Sequence, residues 1–210
     1  MSWPFDLFRS RADLDEDAFL RMVDTLRGFL GAVAHASPSS TQVTELQNDL
    51  ARWTAALELR RVADDDAPYG QLAATPSHAL GSLPDISIEE ESASGLRATV
   101  TFTRWHVGGG GTVHGGQVAL VLDELMGRAQ LLSGWIARTA YLTTTYTAAT
   151  PYERPLQVDV RTKLIDGRKR FVTARLTDGQ VTCATAEALF VRVARYAGPD
   201  VTANRATASR

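Results

Sequence analysis

The hydrophobic pattern changes period three times along the chain. From Asp13 it reads as helix. The acidic turn Asp13-Leu14-Asp15-Glu16 precedes Phe19, Met22, Val23, Leu26, Phe29 and Leu30 at three and four spacing. Ser37-Pro38-Ser39-Ser40 breaks this helix. A second is predicted over about 41–62, with Val43, Leu46, Leu50, Trp53 and Leu57 on one face. Asp64-Asp65-Asp66 and then Pro68, Gly70, Pro76, Gly81 and Pro84 mark a linker. Beyond it Ile86-Ser87-Ile88-Glu89 and the run from Leu96 to Phe102 alternate as strands do. Glycines 108–111 follow, then a stretch from Gly116 to Leu132 that is helical in period. Four more strands are predicted over 139–147, 156–165, 169–177 and 180–194, the last three separated by Asp-Gly turns at 166–167 and 178–179.

The stretch 116–132 decides the fold class. Val118, Ala119, Leu120, Val121, Leu122, Leu125, Met126, Ala129, Leu131 and Leu132 occupy nearly every face, so the helix must be covered most of the way round. A curved antiparallel sheet wrapped about one helix satisfies that demand. The expectation is an α+β protein: a helical extension over 1–66, a sheet-and-helix domain over 67–196, and a small, polar tail over 197–210 expected to be disordered.

Composition narrows the field by exclusion. A formal charge of -2 gives no basic face for nucleic acid. One cysteine, Cys183, rules out an intrachain disulfide framework or multi-cysteine metal site, and its strand setting predicts a buried structural thiol. Four scattered histidines offer no metal set, and no phosphate-loop or paired-glycine nucleotide motif is present. With no apolar run long enough to span a membrane and no basic, apolar leader, the cytoplasm is the expected compartment.

Chemistry points to the middle of the apolar helix. A carboxylate buried there is costly unless it is paired or protonated. Glu124 has Arg128 four residues later in the favourable order. Asp123 has only Ala119, Leu120, Met126 and Gly127 at those spacings. A hydroxyl or backbone amide from elsewhere would satisfy it; otherwise it is the better candidate for catalysis. At the helix start, His114-Gly115-Gly116 offers unpaired N–H groups at the positive end of the dipole, with glycines that let a carbonyl come close. Gly116 and Asp123 share a face but lie about 10 Å apart along the axis. They cannot both reach one carbonyl carbon within one helix, so the site should be shared across a two-fold axis. Arg168, Lys169 and Arg170 form a short basic run beside a turn, either a contact for phosphates or a solvated face.

His114-Gly115-Gly116, Asp123 nine residues after the histidine, and Thr139 beyond it resemble the hotdog thioesterases of the PaaI-like and 4-hydroxybenzoyl-CoA thioesterase superfamily. Leu142-Thr143-Thr144-Thr145-Tyr146 and Asp166-Gly167-Arg168-Lys169 resemble that family's third strand and its hairpin. The resemblance covers about residues 80–195. It implies hydrolysis of an acyl-CoA or acyl carrier protein thioester with no cofactor, coenzyme A being part of the substrate, in a homodimer or a dimer of dimers. It implies Asp123 as general base or as nucleophile, amides at Gly115 or Gly116 for the oxyanion, Thr139 orienting the water or the carboxylate, and His114 positioning the turn or the thioester. Some relatives carry an Asn shortly before the histidine where this chain has Gly108-Gly109-Gly110-Gly111; His106 is a candidate substitute, or a packed loop residue with Trp105. Two other classes compete: a non-catalytic acyl-CoA-binding module, and a dehydratase or hydratase, for which no histidine-centred motif is found. The helical extension is equally readable as a partner-binding module.

Overall fold

The computed structural model describes residues 15–63, 67, 80–132 and 136–192; the expected tail and most of the linker lie outside them. Two N-terminal helices, α1 (Glu16–His35) and α2 (Ser40–Glu58), precede β1 (Asp85–Ser92) and β2 (Gly95–Thr101). A loop with two short 3-10 turns leads to α3 (Gly115–Leu131), followed by β3 (Ala137–Tyr146), β4 (Pro155–Asp166), β5 (Lys169–Asp178) and β6 (Val181–Arg192). The six strands form one antiparallel sheet in the order β1-β2-β4-β5-β6-β3.

Helix α3 lies across the inner face of this sheet. Val118, Val121, Leu122, Leu125, Met126 and Ala129 are buried against inward rows from β2, β4, β5 and β6. The inward row of β6 is Ala184, Ala186, Ala188 and Phe190, small side chains that leave room for the helix. A fully buried leucine such as Leu122 or Leu125 contributes about 2 kcal/mol over the exposed state, so this seam is the main source of stability.

The third strand is an edge, and it is irregular. Its register on β6 shifts between Thr139 and Tyr141. Leu142, Thr144 and Tyr146 pair with the inward-facing Ala188, Ala186 and Ala184, and Thr139 pairs with the inward-facing Phe190. Strict alternation from Leu142 would turn an odd-numbered residue outward; the bulge brings Thr139 back to the helix side.

Helix α1 is docked. Asp15 caps it by accepting from the Ala18 N–H, and Val23 is buried with Phe19 and Leu20 beside it. Arg27 donates to the carbonyls of Leu83 and Leu80, Arg104 donates to that of Ala34, and His35 meets Glu153 at 2.6 Å. Helix α2 has a full capping box from Ser39 and Gln42 but no buried residue, and Trp53 on its apolar face is 59% exposed. It ends at Glu58, short of the expected 62, and among the described residues none of its side chains is buried to help hold another turn. No described helix is long and apolar enough to cross a membrane.

Candidate active site

The start of α3 is built by a loop folded back on itself. The His114 N–H donates to the His106 carbonyl, the Val113 N–H to that of Thr150, and the Gly108 N–H to that of Thr112. Gly110 and Gly111 hold φ of 73° and 71°, a left-handed pair that glycine adopts without a Cβ penalty. A Cβ at Gly108 would stand 3.1 Å from the His114 Cα, a tight approach, whereas one at Gly109, Gly110 or Gly111 would meet nothing within 4 Å. The His106 ring is packed within the loop. It is buried, held by Thr103 and edge-on to Phe102 at 5.6 Å, and burial pulls its pKa down.

The helix begins at Gly115, one residue earlier than expected, because the histidine itself caps it. His114 Nδ1 accepts from the Gly116 N–H at 3.0 Å, and the His114 carbonyl takes the N–H groups of Gln117 and Val118. Gly115 N–H is thereby left, among the described residues, as the first-turn donor with no acceptor. Of the two amides the sequence offered for an oxyanion, Gly115 is the available one.

Asp123 sits two turns on, half-buried on the side of α3 that faces β3. Thr139 Oγ1 donates to its carboxylate at 3.0 Å. Burial pushes the Asp123 pKa up, the Thr139 hydroxyl pulls it back, and the neighbouring charge of Glu124 raises it again. The net direction is upward, toward the range in which a carboxylate takes a proton readily. The hydroxyl is therefore a partner that orients the carboxylate without neutralising it. Arg128, expected as the partner of Glu124, is buried and makes an ion pair with Glu91 of β1 at 3.0 Å, a contact that helix spacing does not reveal.

The basic run is corrected by strand alternation. Arg170 faces inward and is 2% exposed, in the row of Val172, Ala174 and Leu176. Lys169 is exposed, and Arg168 donates to the Arg192 carbonyl at 3.1 Å. The three do not form one surface cluster. Cys183 is buried, and burial raises its pKa, as suits a structural thiol. Among the described residues no group of three or more His, Cys, Asp or Glu side chains is placed to hold a metal. One residue that the sequence placed only in the third strand, with no role, joins the site: Tyr146, the last of β3, whose hydroxyl donates to the Gly115 carbonyl at 2.7 Å.

No family model matches the sequence, and no curated protein does. Solved structures do. A crystallised thioesterase superfamily protein is 27% identical, covering 82% of this chain and 90% of its own with a TM-score of 0.70. A match over 82% of the chain is longer than β1 to β6 and so extends into the N-terminal helices. A hypothetical thioesterase from Streptococcus pneumoniae TIGR4, crystallised with coenzyme A, is 14% identical over 52% of this chain and 89% of that one, TM-score 0.50. A Streptococcus mutans UA159 protein bound to acetyl CoA is 16% identical with the same coverages and a TM-score of 0.50. One helix wrapped by an antiparallel sheet of this order, with these likenesses, defines a hotdog-fold protein. Within that class the chain is most like, among these three, the thioesterase superfamily protein that shares 27% of its residues.

Proposed function

We propose that the protein hydrolyses acyl-CoA, or acyl carrier protein, thioesters at sites shared between two subunits. The observation that carries this reading is Asp123: a half-buried carboxylate, its pKa raised by burial, held by one neutral hydroxyl on a helix whose start leaves the Gly115 N–H free. A thioester carbonyl laid against that amide has its developing oxyanion stabilised, a contribution of about 3–4 kcal/mol for a well-placed donor. The Asp123 carboxylate either takes the proton from an attacking water or attacks the carbonyl carbon itself. In both routes the C–S bond breaks and the thiolate leaves; in the second, water then opens the anhydride. Thr139 orients the carboxylate. Lys169 and Arg168, near the turn joining β4 to β5, are the cations we assign to coenzyme A phosphates.

The placement of β3 supports the shared site. Asp123 and Gly115 are eight residues apart on one helix, about 12 Å along its axis, too far to serve one carbonyl. Asp123 faces β3, the last strand of the sheet, which among the described residues pairs only with β6. A second copy pairing there antiparallel would bring its own helix start toward this Asp123. The coenzyme A and acetyl CoA in the two streptococcal structures are consistent with the substrate class.

The test is a panel of acyl-CoA substrates with detection of free thiol, run on the wild type and on Asp123→Asn. Hydrolysis by the wild type and its loss in the variant is the expected result. Binding of acyl-CoA with no hydrolysis by either would make the protein a carrier or sensor instead.

A further inference from the structure

Tyr146 and Thr139 each fasten the edge strand to α3 by a side-chain hydrogen bond. Thr139 holds Asp123, and Tyr146 holds the other end of the proposed chemistry. Its hydroxyl donates to the Gly115 carbonyl at 2.7 Å. Its ring lies so close that a Cβ on Gly115 would stand 3.2 Å from both the ring Cζ and the hydroxyl oxygen. Tyr146 is 50% exposed, so burial of the ring does not account for the contact.

The Gly115 carbonyl and the Gly116 N–H are two ends of one peptide plane. That N–H donates to His114 Nδ1 at 3.0 Å. A backbone N–H can only donate, so Nδ1 is the unprotonated nitrogen and a neutral His114 carries its proton on Nε2. The bonds run in series from the Tyr146 hydroxyl through the 115–116 peptide to the imidazole, and each strengthens the next. We infer that Tyr146 is a positioning residue for the thioester end of the site, fixing the 115–116 peptide and, through it, holding His114 as an Nε2–H donor beside the free Gly115 N–H. This inference rests on the thioesterase reading above, but the tautomer it assigns does not.

The experiment takes the full chain as wild type, Tyr146→Phe and Gly115→Ala. Tyr146→Phe keeps the ring and deletes the hydroxyl; Gly115→Ala drives a methyl group against the ring. Thioester hydrolysis is measured alongside the nitrogen-15 shifts of His114, which distinguish the two neutral tautomers. In the wild type His114 is expected as the Nε2–H form. In both variants kcat should fall about tenfold with KM within about twofold, and the His114 shifts should move toward a tautomer mixture. Unchanged turnover in Tyr146→Phe overturns the inference, as does a fall in turnover with His114 shifts unmoved, since the hydroxyl would then act elsewhere. An Nδ1–H wild type overturns it whatever the activity. Full activity in Asp123→Asn would instead remove the hydrolytic reading and leave the tautomer assignment standing on its own measurement.

Discussion

At the scale of single residues, Asp123 makes demands on activity and on stability with opposite signs. Asp123→Asn should lower turnover at least ~100-fold, as loss of a base or nucleophile does, read from the initial rate of thiol release. The wild-type rate should rise with pH through a limb lying above the ordinary aspartate value, because burial raises this pKa. For stability, the raised value means that the ionised form is the disfavoured one in the folded chain. The penalty is absent below the unperturbed value of 3.8, where folded and unfolded states both carry the proton, and grows as pH rises through the folded value. Asparagine never ionises and still accepts from Thr139. Thermal unfolding should therefore show Asp123→Asn as stable as wild type or more so near neutral pH, by on the order of 1 kcal/mol or less given its partial exposure. That advantage should vanish in acid. Glu124→Gln should cost far less activity than Asp123→Asn; the reverse order in the same assay would exchange their roles.

At the scale of elements, the two N-terminal helices separate sharply. Both show an apolar stripe in the sequence, yet among the described residues α1 buries one of its side chains, Val23, and α2 buries none. Val23→Ala should destabilise by about 2 kcal/mol, the loss of two buried methyl groups. Trp53→Ala, on an exposed face, should change stability by less than about 0.5 kcal/mol. Urea denaturation of the two variants checks the contrast. Periodicity shows that a face is apolar, and it is silent on what covers it. The same limit governs the sheet. The strands were legible because alternation and Asp-Gly turns are local, and Asp123 was legible because a carboxylate amid Val121, Leu122 and Leu125 conflicts with its surroundings. The bulge after Thr139 was not, since one extra residue leaves no mark on composition yet decides which face the threonine takes. The Arg128 pair with Glu91 and the Tyr146 bond to Gly115 join residues 37 and 31 positions apart, and only the folded chain brings them together.

At the scale of the whole molecule, the sheet ends in a ten-residue edge with the site behind it. If two chains complete the site, two different defects should complement each other. One chain carries Asp123→Asn. Its partner carries Gly116→Val, whose Cβ would stand 3.1 Å from His114 Nδ1 and displace the cap. A mixed dimer then has one site with both defects and one with neither. Random exchange restores up to about a quarter of the sites, measured as thiol release after subunits are re-equilibrated. Exchange without recovery would assign both groups of a site to one chain.

The open edge also bears on how activity should scale with the amount of protein. Among the described residues β3 pairs only with β6, and an edge strand of that kind favours association, while mass action ties the paired state to the concentration of chains. Turnover per chain should then fall on dilution as pairs come apart and recover on concentrating, whereas a site complete within one chain would give a flat line. The same dilution series, followed by light scattering, should show the mass halving over the range in which the rate is lost.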